Sequence, residues 1–263
     1  MNIVKRNGEL VPYNVDKIHR VIEWAVEGIK GVTASDIEIN ADLQKKEGMT
    51  TVEIHDVLVD SAANLISLSS PNYQYVAARL LSYHLRKEVW GGKNPPKLVD
   101  FINENVHDHD VYDEDILMMY NKTEINKLDE YIDHSRDENF TYAGMRQLCD
   151  KYLIQDRSTG KLYETPQFAY MIIAMVCFGQ YTGDTRIAYI KKAYDLMIEA
   201  AKEHPKCSKR QGPDCFLEEY GDSAVIFTLY FWVDNIIEGR KRPKSDVMFS
   251  IWDKLEPCVC ASY

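Results

Sequence analysis

The chain has 263 residues, 45% hydrophobic and 27% charged, an ordinary globular composition with room for two or three compact units. A formal net charge of −10 and a pI near 5.2 argue against nucleic acid as a partner, because phosphate contacts would have to come from a local basic cluster. Six cysteines without a Cys-x-x-Cys pair, a polar start from Met1 to Glu9 and no apolar run longer than Tyr170 to Phe178 argue against a disulfide framework, export and membrane insertion, so a cytoplasmic protein is expected.

Residues Ile3 to Tyr13 predict a β-hairpin, since Asn7-Gly8 supplies the positive φ angles of a tight primed turn. Asn14 then caps a helix carrying Ile18, Val21, Ile22, Ala25 and Ile29 at helical spacing, stopped by Gly28 and Gly31. Ser35 is expected to cap a second helix reaching about Glu47. Thr50 and Glu53 form a capping box for a third, striped by Ile54, Val57, Leu58, Ala62 and Leu65. Ser70-Pro71 precedes a fourth, Asn72 to about Glu88, with Val76, Leu80 and Leu81 inward. The hairpin and four helices read as one small domain.

Gly91 to Pro96 is a linker, because paired glycines free the backbone and paired prolines forbid helix. Beyond it the chain reads as mostly helical to about Gly183, broken by two short strands around a Ser-Thr-Gly turn within Tyr152 to Tyr163. Thr165-Pro166 begins an apolar helix, and Asp184 to about Glu203 another, with Ile187, Ile190, Tyr194 and Met197 on one side. Cys215 to Tyr220 and Ala224 to Val233 predict a second hairpin around Gly221-Asp222-Ser223. A basic loop, Asp234 to Lys244, leads to a helix capped by Ser245.

Lys5 and Arg6 fall at the first turn, Lys17 in the first turn of the following helix, Thr51 and His55 at the start of the third helix, and Arg86 and Lys87 at the end of the fourth. Should the hairpin fold over the bundle, these groups converge beside a helix N-terminus, which suits a triphosphate. By spacing alone they read rather as solvated charges. Cys149 and Cys177 read as small packed hydrophobes. Asp133, His134, Arg136 and Asp137 read either as an acid–base set or as a charged helix connection.

Several longer runs resemble a known family. Val4-Lys5-Arg6-Asn7-Gly8, Asn14 to Val21, Trp24 to Gly28, Gly48 to His55 and Pro71 to Leu80 are similar to the ATP-cone of class I ribonucleotide reductase large subunits. Ile132 to Asp137, Lys151 to Gln155 and Tyr163 to Phe168 resemble the helical region that follows the cone in those enzymes, extending the likeness to about Tyr194. The resemblance implies ATP or dATP as allosteric effector, with Mg2+, and contacts at Lys5, Arg6, Asn14, Lys17, Ile18, Thr51, His55 and Lys87. Val11 stands where some relatives place an acidic residue, which bears on purine or sugar discrimination.

After Tyr194 two resemblances compete. Arg210, Gln211, Cys215 and Gly221-Asp222-Ser223 echo the reductase segment that carries a redox cysteine, while Ala200 to Lys206 and Phe216 to Val233 are similar to the cytosolic C-terminal domain of small-conductance mechanosensitive channels.

The expected architecture is mainly α: a hairpin and four-helix ATP-cone at 1–90, a helical domain with a small hairpin at 97–194, and an α+β module at 198–256. The expected function is adenine-nucleotide binding by a regulatory region without its catalytic barrel. Two alternatives stand beside it: a homo-oligomer formed through the C-terminal module, and part of a split reductase completed by further reductase polypeptides.

Overall fold

The computed structural model describes residues 2–5, 8–42, 46–92, 94–203, 214–221 and 224–230, with side chains as far as Asp195. Strands β1 (Asn2–Val4) and β2 (Leu10–Pro12) pair antiparallel, Ile3 opposite Val11. The turn is wider than the two-residue turn expected. Lys5 N–H donates to the Glu9 carbonyl and Gly8 N–H to the Lys5 carbonyl, both at 2.9 Å, and Gly8 lies in the left-handed region at φ 82°. Glycine takes that conformation without the steric penalty that a Cβ brings.

Helix α1 (Val15–Val26) starts where Asn14 Oδ1 accepts the Lys17 N–H at 3.0 Å, and it buries Val21, Ile22 and Ala25. Helix α2 (Ala34–Asp42) is capped by Thr33, not Ser35. The Thr33 hydroxyl accepts the Asp36 N–H at 3.2 Å and donates to the Asp36 carboxylate at 2.7 Å, while the Tyr73 hydroxyl donates to the same carboxylate at 2.7 Å. Helix α3 (Thr51–Asn64) has the expected capping box: Thr50 Oγ1 accepts from Glu53 N–H at 3.1 Å and Glu53 returns an acceptor to Thr50 N–H at 2.7 Å. Helix α4 (Tyr73–Val89) ends at Trp90, before the left-handed Gly91. Ile22, Ile37, Ile54, Leu58, Leu80 and Leu85 form the core of this bundle, each burial stabilising it by about 1.5–3 kcal/mol.

In chain order there follow α5 (Leu98–Asn103), α6 (Asp115–Met119), α7 (Lys122–Asp129), α8 (Tyr142–Gln147), α9 (Pro166–Cys177) and α10 (Gly183–Glu203). The chain divides into two compact units, and the division does not follow sequence order. Asp133–Thr165, including α8, joins Met1–Pro95; Pro96–Ile132 joins Pro166–Tyr263.

Within the first unit, one guanidinium ties α4 to the later segment. Arg86 Nη2 donates to the His134 carbonyl at 2.6 Å and to Asp137 Oδ2 at 3.3 Å, and Asp137 is completely buried. The charged stretch from Asp133 to Asp137 is therefore a packed connection held by α4. The two strands expected around the Ser-Thr-Gly turn shrink to a single bridge, Gln155 to Leu162, because the Asp156 carboxylate takes up the turn by accepting the Ser158 N–H and hydroxyl at 2.8 and 2.6 Å.

Within the second unit, Arg186 Nη2 donates to both carboxylate oxygens of Glu124 at 2.7 Å, and the guanidinium lies over the Tyr120 ring at 4.2 Å. Phe101 stacks on Phe168 with ring centroids 4.3 Å apart. Strands β3 (Asp214–Gly221) and β4 (Ala224–Tyr230) form the expected second hairpin, with a register shift between Leu217 and Glu219. The basic loop and the helix expected after Ser245 lie outside the described residues. Among the described residues, no helix is long and apolar enough to cross a membrane.

Candidate functional site

A cleft of about 390 Å3 opens between the first hairpin, α1, α3 and α4. That volume falls in the range of sites that enclose a small molecule. The hairpin is brought there by main-chain bonds to the residues before α3: Val4 N–H donates to the Met49 carbonyl at 2.9 Å, Gly48 N–H to the Asn2 carbonyl at 3.0 Å, and Val4 bridges Thr50 in parallel. Lys5, the next residue along, is thereby set beside Thr51 and His55.

Seven of the eight residues expected at the site line this cleft: Lys5, Asn14, Lys17, Ile18, Thr51, His55 and Lys87. Arg6 lies outside the described residues. Arg86, adjacent in sequence to Lys87, is turned to the other side of α4 and spent on Asp137.

The cleft has two parts to its chemistry. Ile3, Val11, Pro12, Ile18, Val21 and Ile54 give it an apolar wall. Its charged groups are the cations Lys5, Lys17, Arg20 and Lys87, with no carboxylate among the described lining residues. Such a local concentration of positive charge, in a chain of net charge −10, has the electrostatic character that suits an anion. Two helix N-termini reinforce it, since the cap residue of α1, Asn14, and the first residue of α3, Thr51, both line the cleft. Lys5 Nζ meets Glu9 at 2.8 Å on the exposed rim, and Lys87 Nζ sits 4.6 Å from the centre of the Tyr83 ring.

His55 is buried, its ring 5.4 Å from that of Tyr83, and the Trp24 ring lies 5.8 Å from that of Tyr83. Glu53, beside the cleft in the first turn of α3, is held below the usual carboxylate range by the Thr50 N–H and then by the Thr50 hydroxyl. It stays ionised and belongs to the cap.

Sequence reasoning passed over Arg20 and Tyr83 as site residues. Arg20 had a usable signal, because it follows Lys17 by three positions and so shares its helical face. Tyr83 had none: only the packing of α4 against α1 and α3 brings it to the cleft.

Residues 1–88 match the family described as ATP cone domain, and residues 138–201 match ribonucleotide reductase, all-alpha domain. The chain is homologous to the N-terminal region of ribonucleoside-diphosphate reductase alpha subunits. It is 40% identical over 228 residues to ribonucleoside-diphosphate reductase 1 subunit alpha of Escherichia coli (strain K12), covering 84% of this chain and 30% of that protein. The Haemophilus influenzae subunit alpha gives the same identity and coverage, and that of Enterobacteria phage T4 is 36% identical over 230 residues, 85% of this chain and 30% of its own length. The chain thus spans 30% of the length of these curated relatives.

A match over 84% of 263 residues cannot stop at Tyr194, where the reading of the sequence ended the reductase likeness; it runs into β3. Residues 181–257 also match the family described as mechanosensitive ion channel MscS, C-terminal, so the two likenesses overlap in α10 and β3.

Proposed function

We propose that the cleft of the ATP cone binds an adenine nucleoside triphosphate as an allosteric effector. The observation that carries this reading is the lining itself, four cations and two helix N-termini facing an apolar wall with no carboxylate between them. The phosphates fit the cationic side, where charge-assisted bonds from Lys5, Lys17, Arg20 and Lys87 are available. The base fits the apolar wall of Ile3, Val11, Ile18 and Ile54. Magnesium, when it accompanies the nucleotide, is carried by the phosphates, since a hard cation wants oxygen ligands and the lining residues supply no carboxylate.

Val11 presents no side-chain acceptor to a ribose 2′-hydroxyl, so ATP and dATP are expected to bind comparably. Isothermal titration of the full chain with each nucleotide tests the reading. Saturable micromolar binding that is lost on Lys5→Ala or Lys87→Ala supports it; the absence of binding by either nucleotide removes it.

Regulation of a cytoplasmic ribonucleoside-diphosphate reductase, and hence of deoxyribonucleotide supply, is the process this binding serves in our reading, supported by the homology across the cone and the all-alpha region. In sequence terms this reading gives 1–90 to nucleotide binding, 97–194 to the helical stretch and 198–256 to the C-terminal stretch, although the two compact units of the fold cut across those bounds.

A second reading has its own support in the channel-type match of residues 181–257. There the β3–β4 hairpin drives self-association of the chain. Light scattering of the full chain and of a form ending at Tyr194 separates the two: an oligomer lost on shortening supports self-association, and identical masses remove it.

A further inference from the structure

We propose that Glu88 links occupancy of the cleft to the loop at residues 153–164, through the last turn of α4. This rests on the nucleotide reading above and names a part of the chain, outside the cleft, that responds to the nucleotide.

Three consecutive residues at the end of α4 are engaged in different directions, all within one compact unit. Lys87 lines the cleft. Arg86 donates to the His134 carbonyl at 2.6 Å and to the Asp137 carboxylate at 3.3 Å. Glu88 Oε1 accepts the Leu162 N–H at 3.1 Å, a bond across 74 positions, and its Oε2 lies 3.9 Å from Nε2 of His84 one turn earlier. Because successive residues of a helix are rotated by about 100°, a single turn serves the cleft and the later segment together.

Within the loop the bonds are local. Tyr163 N–H donates to the Ile154 carbonyl at 3.0 Å, Asp156 N–H to the Lys161 carbonyl at 2.9 Å, and Ile154 N–H to the Glu164 carboxylate at 2.8 Å. Arg157 to Lys161 are exposed, whereas Leu162 is buried and bonded to α4. The Leu162–Glu88 bond is thus a long-range tether on a locally built loop.

The shared turn is the element with two states. Helix ends unwind at the least cost, and this one closes with Trp90 N–H on the Arg86 carbonyl at 2.9 Å, just before the left-handed Gly91. The turn must be formed for Lys87 to reach the cleft and for Glu88 to meet Leu162. A polyanion that engages Lys87 favours the formed turn, and with it the tether. Linkage makes the effect reciprocal, so losing the tether weakens nucleotide binding although Glu88 is not a lining residue.

Hydrogen exchange of the full chain, without ATP and with ATP at about a hundred times its Kd, reads the link in peptides covering residues 153–164, with peptides of α1 as reference. An opening that also breaks the cleft is slowed at most about a hundredfold at that concentration. In the native chain the amides of 153–164 are expected to slow by about tenfold. Glu88→Ala is expected to remove that slowing, keep it in α1, and weaken ATP binding by about fivefold. Glu88→Gln retains an oxygen for the Leu162 N–H and is expected to behave as the native chain does. Glu88→Met, which keeps the side-chain length without the acceptor, gives the same reading where the alanine variant does not fold.

Slowing confined to α1 in the native chain, or equal slowing at 153–164 with and without the Glu88 acceptor, overturns the role of Glu88 and leaves the nucleotide site standing. A native chain that does not bind ATP removes the site and this role with it.

Discussion

Val4 donates its backbone N–H to the Met49 carbonyl at 2.9 Å, joining residues 45 positions apart. The bond sets the first hairpin along the entry to α3 and so brings Lys5 to the cleft that Thr51 and His55 also line. Cleft geometry therefore depends on the hairpin keeping its shape.

Gly8 is the residue that lets the hairpin close, at φ 82° with no atom near the position of an added Cβ. Gly8→Val is therefore expected to cost about 1–2 kcal/mol from backbone conformation alone. Because Lys5 moves with the turn, nucleotide affinity is expected to fall with it. Chemical denaturation and titration on the same variant check both, and an unchanged stability would contradict the role given to this glycine.

The capping box at α3 is a local device with a measurable worth. Thr50→Ala removes the acceptor for Glu53 N–H and is expected to destabilise the first unit by about 1 kcal/mol. Glu53, lowered by its bonds to Thr50, and Asp36, lowered by the Thr33 and then the Tyr73 hydroxyl, contribute stability that is present above their unfolded pKa values. It is lost as pH falls through the lower folded values. Melting temperature against pH should drop more steeply below pH 4 for the native chain than for Thr50→Ala.

His19 acts with the opposite sign. It contacts Glu38 on α2 at 2.6 Å and Glu23 at 3.1 Å, and the Glu38 bond raises its pKa above 6.5. Its contribution is fully present below pH 6.5 and lost as pH rises through the folded value. His19→Gln is expected to remove that loss, flattening the melting curve between neutrality and mild alkali. A native chain whose melting temperature is flat over the same interval would contradict it.

Arg86 and Asp137 form a buried pair at 3.3 Å, and removing Arg86 takes the opposite charge away from a fully buried carboxylate. Arg86→Ala is expected to cost about 3–5 kcal/mol, whereas replacing both with apolar residues of similar volume is expected to recover most of it. Denaturant unfolding of the two single variants and the double variant measures the coupling.

Cys149 is buried, and loss of hydration pushes its thiol up to about 12. It is expected to resist alkylation at pH 8 until the protein unfolds. Mass spectrometry of peptides after timed iodoacetamide treatment checks this, and rapid native labelling of Cys149 would contradict it.

The local devices were legible in the residues alone. Asn14, the Thr50–Glu53 box, the stripe of Val76, Leu80 and Leu81 and the Thr165-Pro166 helix start all depend on neighbours within a turn or two, so a linear reading suffices. Thr33 and Ser35 could both cap α2; the choice fell to Thr33 because Asp36 is also held by Tyr73, 37 residues away. Arg86 and Lys87 look alike in sequence, yet one is consumed by Asp137 and the other lines the cleft.

By itself, then, the sequence determined where helices begin and end, which faces are apolar and which cations were available to a polyphosphate, since these follow from spacing and side-chain chemistry. Tertiary structure alone decided which of those cations meet, that Tyr83 and Arg20 join them, and that residues 133–165 pack with the cone's helices rather than with their neighbours in the chain. The reason is physical: periodicity fixes the direction of a side chain about its own helix, but only packing and long-range hydrogen bonds fix one helix against another.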